Sequence, residues 1–228
     1  MNQIRKIKIV LIFLFLTGVL YAQDQQPAFW DDIQAFKKQD SLSFPPKNAI
    51  LFIGSSSFTM WKDVQTYFPS YTIINRGFGG SSFPDVIRYA EDIISPYHPK
   101  QIVIYCGEND IAASDTVTAK LVFNRFRQLF TIIRNRYPKV KVTYVSMKPS
   151  PSRQLLLPKM ISGNELIKKY LSSKKRTTYV DVYKEMIDDE GKPRSDIFLD
   201  DNLHMNKTGY AIWQKLIEPV LVSTPAVQ

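Results

Sequence analysis

The chain has 228 residues, of which 44% are hydrophobic and 22% are charged, and its formal net charge is +9. A single cysteine, Cys106, excludes an internal disulfide framework, and we expect it to be a small buried hydrophobic residue. Basic residues are scattered among acids apart from Lys174-Lys175-Arg176. We interpret that cluster as a solvated loop, so the positive charge does not indicate a nucleic-acid surface.

Residues 1–22 have the layout of a secretory signal peptide. Three basic residues precede an apolar core from Ile9 to Leu20, and small Ala22 comes before a polar stretch. The apolar run is short for a membrane span of about 20 residues, which favours cleavage after Ala22 over an uncleaved anchor. We therefore expect an exported protein, periplasmic or extracellular, with no stable membrane insertion after cleavage. Without the three basic residues the formal charge falls from +9 to +6.

Residues 23–228 show no internal repeat or linker, so we expect a single domain. A short helix is predicted in QQPAFWDDIQAFKKQD, and short β-branched runs follow, typical of strands buried on both faces of a parallel sheet. The predicted strands are Ala49–Ile53, Thr72–Asn75, Gln101–Cys106, Val140–Ser146 and Thr178–Val182.

Helical patterns separate these strands. Ser82 is expected to cap one helix, with Pro84 in its first turn. Others are predicted over Thr116–Tyr137, Pro158–Leu171 and Lys207–Leu221. We expect a core stripe along Thr116–Tyr137, made of Leu121, Val122, Phe126, Leu129, Phe130 and Ile133. Alternating strands and helices predict a three-layer α/β/α sandwich, because right-handed crossovers place helices on both faces of the sheet.

Polar, glycine-rich segments follow the first three predicted strands. They are Gly54-Ser55-Ser56-Ser57, Gly77-Phe78-Gly79-Gly80 and Gly107-Glu108-Asn109-Asp110. In a parallel sheet, ligands bind beyond the carboxyl ends of the strands. The three loops are therefore predicted to converge on one site. Serines could otherwise serve only to cap the following helix.

A serine nucleophile needs a base, and the chain has two histidines. His98 precedes a strand and so lies at the wrong edge of the sheet. His204 follows Asp201 by three residues, a spacing that could let the carboxylate orient the imidazole. Alternatively, Asp200 and Asp201 could cap a helix that begins near Asn206.

These blocks resemble the SGNH (GDSL) hydrolases. The matching residues, in the order of that family and over nearly the whole mature chain, are Gly54-x-Ser56, the loop ending at Gly80, Gly107-x-Asn109-Asp110 and Asp201-x-x-His204. The resemblance implies a flavodoxin-like sheet of about five parallel strands and an esterase or acyl-hydrolase activity. It assigns Ser56 as nucleophile, His204 as general base and acid, and Asp201 as the residue orienting His204. The oxyanion would be held by the N–H groups of Ser56 and Gly80 and the amide of Asn109.

Two features leave alternatives open. Ser55 stands where the family usually has an aspartate, and Ser57 is the second choice of nucleophile. Gly77 and Gly79 compete with Gly80 as oxyanion donor, although Gly80, five residues after Asn75, fits the family pattern better.

The sequence has no cluster of metal-ligand spacing and no Gly-x-x-x-x-Gly-Lys phosphate loop, so we expect neither a metal nor a cofactor. The expected partner is a small-molecule or glycan acyl ester, with short acyl chains and glycan acetyl groups favoured. An O-acyltransferase, a lysophospholipase, a thioesterase and a non-catalytic glycan-binding module stay open, as does the oligomeric state.

Overall fold

Five parallel strands form one sheet in the order β2-β1-β3-β4-β5 in the computed structural model, which describes residues 26–223. The expected α/β sheet is confirmed, and the predicted signal peptide lies outside the described residues. From Asp31 onward, the described residues form one compact unit. The strands are β1 Ile50–Gly54, β2 Ile73–Gly77, β3 Gln101–Tyr105, β4 Lys141–Val145 and β5 Thr177–Val180.

Each strand lies where an apolar run predicts it, and no strand end differs from its prediction by more than two residues. Strands β1 and β2 continue into glycine, because Gly54 still pairs with Gly77. Strand β5 ends at Val180 and not at Val182 as predicted. The N–H of Val182 donates to the hydroxyl of Ser146 at 3.0 Å and so leaves the sheet ladder.

Nine α-helices and four 3₁₀ turns connect the strands within residues 26–223. The helix that begins after Ser82 is interrupted at Tyr89, and the last helix ends at Ile217, before Pro219, which has no N–H to continue it. The helices are α1 Trp30–Leu42, α2 Ser56–Thr59, α3 Val64–Tyr67, α4 Phe83–Arg88, α5 Ala90–Ile93, α6 Glu108–Ala112, α7 Ala119–Arg136, α8 Leu157–Ser172 and α9 Lys207–Ile217. The 3₁₀ turns are Pro151–Leu156, Lys184–Met186, Ser195–Ile197 and Glu218–Val220.

Helices cover both faces of the sheet. On one face, Phe126 of α7 has its ring centroid 5.1 Å from that of Tyr144 on β4. On the other face, Trp213 of α9 lies 4.7 Å from Tyr105 on β3. Tyr105 and Tyr144 point to opposite faces, since Ile104 is the residue that pairs with Tyr144. The three-layer sandwich is thereby confirmed.

The core stripe predicted on the long helix is confirmed with one exception. Val122, Phe126, Leu129, Phe130 and Ile133 of α7 are buried, whereas Leu121 is 38% exposed. Leu121 lies in the first turn of α7, where its N–H donates to the capping hydroxyl of Thr118.

The single cysteine and the basic cluster before the last strand lie in the environments that the sequence predicts. Cys106 is buried, as expected. Lys174, Lys175 and Arg176 are exposed in the loop before β5, as expected for a solvated segment. No helix within residues 26–223 is both long and apolar enough to cross a membrane.

Gly54 sets the direction in which the chain leaves β1. Its φ is 132°, and a Cβ built there would lie 1.8 Å from the carbonyl oxygen of Tyr105. That carbonyl accepts a hydrogen bond from the N–H of Ser55 at 3.0 Å. Only glycine allows this approach, which fixes the serine loop over the end of β3.

We expect Gly54→Ala to lower the free energy of unfolding by more than about 3 kcal/mol, because it combines a forbidden φ with a backbone clash. Gly191→Ala is the matched control, since Gly191 has a φ of 77° but nothing within 4 Å of the added carbon. The control should cost only about 1 kcal/mol. Urea unfolding of both variants measures the difference, and equal losses would contradict the role given to the clash.

Candidate active site

The three serines after β1 differ in their exposure. Ser55 and Ser57 are 4% and 1% exposed, while Ser56, the first residue of α2, is partly exposed. The carbonyl of Ser57 accepts a hydrogen bond from the hydroxyl of Tyr210 on α9 at 2.9 Å. Ser56 is thus the most accessible of the three, which favours it over Ser57 as the nucleophile.

The glycine loop after β2 forms a tight turn. The N–H of Ser81 donates to the carbonyl of Phe78 at 3.4 Å, and Gly80 has a φ of 83°. A positive φ at the third residue is what a type II turn requires. Gly80 is exposed and lies at the tip of this turn.

Of the competing glycines, Gly77 has its N–H engaged. It donates to the side-chain oxygen of Asn75 at 3.0 Å, and the amide nitrogen of Asn75 donates to the carbonyl of Phe58 at 2.6 Å. Gly77 therefore offers no free donor. Gly79 and Gly80 are the two glycines that still suit the role.

Ser81, which the sequence analysis did not single out, joins the first loop to the second. It is fully buried, and its hydroxyl donates to the carbonyl of Gly54 at 3.1 Å. Its own carbonyl accepts from the amide of Asn109 at 3.0 Å. In the sequence, only its position directly after the glycine loop could have indicated this role of Ser81.

Asn109 completes the junction of the three loops. Its amide nitrogen lies 2.6 Å from the hydroxyl oxygen of Ser55 and 3.0 Å from the carbonyl oxygen of Ser81. These two residues are the chain neighbours of Ser56 and Gly80. Ser55, in the place where an aspartate is usual, thus still supplies an acceptor for the amide.

The backbone N–H groups predicted to hold the oxyanion are free to bind a substrate. Among residues 26–223, no protein atom accepts a hydrogen bond from the N–H of Ser56 or of Gly80. The N–H of Gly79 is likewise unpaired in this part of the chain, so Gly79 stays an alternative to Gly80. Backbone donors of this kind, next to a side-chain amide, are the groups that hold a developing oxyanion.

Asp201 and His204 form a hydrogen-bonded pair. The imidazole Nδ1 lies 2.6 Å from Asp201 Oδ2, and Oδ1 accepts from the N–H groups of Leu203 and His204, each at 2.9 Å. Slight burial acts to raise the pKa of Asp201, but the hydrogen bonds from His204 and Leu203 outweigh it and lower the pKa to about 2. Asp201 is therefore ionised at neutral pH.

The alternative that these aspartates cap a helix is wrong. Asn206 is the N-cap of α9, and its side chain accepts from the N–H groups of Thr208 and Gly209. Asp201 is left to orient His204. His98, by contrast, is exposed before β3, and its ring packs against Tyr137.

The bond between Tyr210 and Ser57 joins the serine loop to α9, which begins three residues after His204. No hydrogen bond joins His204 to the hydroxyl of Ser56 among the described side chains. Nucleophile and base are often separated in free enzymes and come together on substrate binding.

A buried charge cluster beside Asn109 was also missed. Lys148 Nζ lies 3.0 Å from Glu108 Oε2, and Arg153 Nη1 lies 3.4 Å from the same oxygen. Arg153 Nη2 donates to Asn109 Oδ1 at 2.6 Å. Burial lowers the pKa of Lys148, although Glu108 favours its charged form. The sequence could have indicated this cluster, because the segment KPSPSR, which contains Lys148 and Arg153, follows the fourth predicted strand at the same edge of the sheet as the other loops.

Asp110 anchors its loop to two helices. Its carboxylate accepts from the N–H of Phe83 at 2.9 Å and from Arg125 at 2.8 Å. Burial raises the pKa of Asp110 against these bonds. In the described part of the chain, no three His, Cys, Asp or Glu side chains are grouped to hold a metal ion.

Comparison with solved structures gives the same fold. A protein from Streptococcus pneumonia, described provisionally as a platelet activating factor, is 21% identical with a TM-score of 0.74, covering 94% of this chain and 99% of its own. A GDSL-like lipase from Bacteroides thetaiotaomicron is 21% identical with a TM-score of 0.72, covering 82% and 96%. A variant of an acetyl-xylooligosaccharide esterase from Geobacillus Stearmophilus is 14% identical with a TM-score of 0.60, covering 76% and 94%.

No curated protein sequence matches the chain. The family model of the GDSL-like lipases and acylhydrolases matches residues 43–212, which include all four blocks of the predicted site. The protein belongs to the GDSL-like Lipase/Acylhydrolase family, a family of acyl-ester hydrolases.

Proposed function

We propose that this protein is an exported serine esterase that hydrolyses short-chain O-acyl esters, glycan acetyl esters among them, through an acyl-serine intermediate. One observation carries the proposal. The Asn109 amide is hydrogen-bonded to Ser55 and Ser81, and therefore lies beside the chain neighbours of Ser56 and Gly80. The Asn109 amide and the free N–H groups of Ser56 and Gly80 are the three donors assigned to the oxyanion, and Ser56 is the most accessible serine of its loop.

The proposed reaction gives each of these residues one role. His204 Nε2 takes the proton of Ser56 while Ser56 Oγ bonds to the acyl carbon, and the carbonyl oxygen becomes an oxyanion. Asp201 holds Nδ1 and stabilises the imidazolium. Collapse of the intermediate breaks the ester bond, and the alcohol leaves with the proton from His204. Water then attacks the acyl-serine by the same route and releases the acid.

The Asn109 amide must change partners during this step. In the free protein its two hydrogens are donated to the Ser55 hydroxyl and the Ser81 carbonyl. An oxyanion is a stronger acceptor than a neutral hydroxyl, because one partner is charged. We expect the oxyanion to take the hydrogen now held by Ser55, while Ser81 keeps the amide in place.

The preference for glycan esters has two supports. The signal-peptide-like N-terminus implies export, and the same fold carries an acetyl-xylooligosaccharide esterase and a carbohydrate esterase family 3 protein from Talaromyces cellulolyticus. Both neighbours are distant in sequence and so guide only which substrates to test. Acetylated glycans and esters of graded chain length are the informative set.

We expect a fluorophosphonate probe to label Ser56 and neither of its neighbours, because only Ser56 is both accessible and beside the oxyanion donors. Peptide mapping by mass spectrometry locates the label, and Ser56→Ala should abolish it together with aryl-acetate hydrolysis. A label on Ser57 would move the nucleophile by one residue. Folded protein that neither takes the label nor cleaves esters would instead be a binding module.

The same preparation discriminates among the acyl-transfer activities. Rates on acetyl, butyryl and decanoyl esters should fall with chain length if short acyl groups are preferred. Adding a sugar acceptor should leave acid as the main product, and a predominance of acylated sugar would identify an O-acyltransferase.

We expect Asn109→Ala to lower kcat by about 10²–10³, since that is the typical loss when one oxyanion donor is removed. KM should change little, because the ground-state carbonyl needs the donor far less than the transition state does. Thermal unfolding of the same preparation gives the control. Near-normal kcat with a lowered Tm would mean that Asn109 only joins the three loops.

We expect the Asp201 carboxylate, with a pKa of about 2, to stay ionised and to hold the His204 imidazole at every pH from 5 to 9. Asp201→Asn should lower kcat by about 10²–10⁴. Asp200→Asn is the control and should stay near wild type. Near-normal kcat in folded Asp201→Asn would contradict the role given to Asp201.

The same pKa predicts an effect on stability. A carboxyl group whose pKa is lowered on folding stabilises the protein above its unfolded value of 3.8, and this contribution is lost as the pH falls toward 2. The decrease in unfolding free energy between pH 4 and pH 2 should therefore be smaller in Asp201→Asn than in the wild type. Equal decreases would contradict the lowered pKa.

A further inference from the structure

We propose that Arg153 is a positioning residue that acts through Asn109, by fixing the orientation of the oxyanion amide and by polarising it. The proposal rests on the esterase function and on the role given there to Asn109. Arg153 lies in the 3₁₀ turn Pro151–Leu156 that follows β4, and its side chain is 15% exposed. It belongs to none of the four family blocks.

The contacts of Asn109 allow only one orientation of its amide. Arg153 Nη2 lies 2.6 Å from Oδ1, and the Ser81 carbonyl lies 3.0 Å from Nδ2. A guanidinium has only donors and a carbonyl has only acceptors. A flipped amide would place an NH₂ group against the guanidinium and an oxygen against the carbonyl. Arg153 and Ser81 together therefore direct the NH₂ group of Asn109 toward the serine loop.

The charge of Arg153 has a second consequence. A cation bonded to the amide oxygen draws electron density from the nitrogen, and the N–H groups become stronger donors. The acceptor on the nitrogen side is the uncharged hydroxyl of Ser55, at a position where an aspartate is usual. In this chain, the strongest polarising charge on the amide therefore comes from its oxygen side.

Arg153 is itself held in place by buried partners. Glu108 binds both Arg153 and Lys148, and Lys148 is 1% exposed. The backbone of the turn is also fixed, because the N–H of Ser152 donates to the carbonyl of Asn202 at 3.0 Å. Asn202 lies between Asp201 and His204, so the same turn that carries Arg153 also contacts the loop of the base.

A double-mutant cycle tests the proposal. Arg153→Met, Arg153→Lys, Asn109→Ala and the double variant Arg153→Met/Asn109→Ala are assayed for kcat and KM on an aryl acetate. We expect Arg153→Met to lower kcat about 10–100-fold with little change in KM, and by no more than Asn109→Ala does. Arg153→Lys should recover part of the loss. In the Asn109→Ala background, Arg153→Met should change kcat less than about 3-fold, since its target is gone.

Arg134→Met is the matched control for loss of a structural arginine. Arg134 donates to the carbonyls of Val140, Lys175 and Arg176 before β4 and β5, at the opposite end of the strands. We expect it to lower the Tm but to leave kcat near wild type. If Arg153→Met does not fold, Arg153→Gln takes its place in the cycle, because it keeps a single neutral donor.

The outcomes separate this proposal from the esterase function. Normal kcat in folded Arg153→Met, alongside an impaired Asn109→Ala, would overturn the role of Arg153 alone, and normal kcat in Arg153→Gln would overturn the part of that role that depends on charge. A full loss that persists in the Asn109→Ala background, or a change confined to KM, would mean that Arg153 acts directly on the substrate. An inactive wild type, or near-normal kcat in Asn109→Ala, would overturn the oxyanion assignment on which the proposal rests.

Discussion

The hydrogen bonds of Ser81 and Asn109 are the constraint on which the site depends. A parallel sheet brings the carboxyl ends of its strands to one edge, but it does not fix the loops that follow. Here the Ser81 hydroxyl donates to the carbonyl of Gly54. The Asn109 amide donates to the carbonyl of Ser81 and to the hydroxyl of Ser55. Two buried or half-buried polar side chains thus connect the loops after β1, β2 and β3. Removing Asn109 takes the amide donor from the buried Ser81 carbonyl, which costs about 1–3 kcal/mol, and removing either side chain loosens a loop that carries an oxyanion donor.

Charge is distributed unevenly around this junction. Asp201 carries one of the nearby negative charges, and hydrogen bonds from His204 and Leu203 lower the pKa of Asp201 to about 2. Beside Asn109 lie Glu108, Lys148 and Arg153, one anion and two cations that are largely removed from water. Burying such a cluster is costly and seldom adds net stability. This cluster lies against Asn109 and has one positive charge in excess. It can therefore stabilise the negative charge that the proposed reaction develops on the substrate oxygen.

Much of the fold could be predicted from the sequence, because apolar β-branched runs and glycine-rich loops are local signals. These runs located all five strands, and their order placed Ser56, Asn109 and His204 at one edge. The unpredicted contacts join residues far apart in the chain, as Arg153 and Asn109 are, and no local pattern encodes such a pair. The break at Tyr89 and the exposure of Leu121 were missed for a related reason. A helical repeat indicates which face is apolar, but the neighbouring elements decide where a helix ends and which of its turns is covered.

The presence of Ser55 at a position where the family usually has an aspartate can be understood from the same contacts. A carboxylate at this position would accept from the Asn109 amide, but it would also bring a negative charge close to the oxyanion that the amide must stabilise. A hydroxyl supplies an acceptor without that charge, at 2.6 Å. It is also a weaker partner, and so it releases the amide hydrogen more readily to a charged oxygen. The orientation of the amide is here imposed by the Ser81 carbonyl on its nitrogen side and by Arg153 on its oxygen side. Ser55 and Arg153 thus contact opposite ends of the same amide, and only the contact at the oxygen end carries a charge.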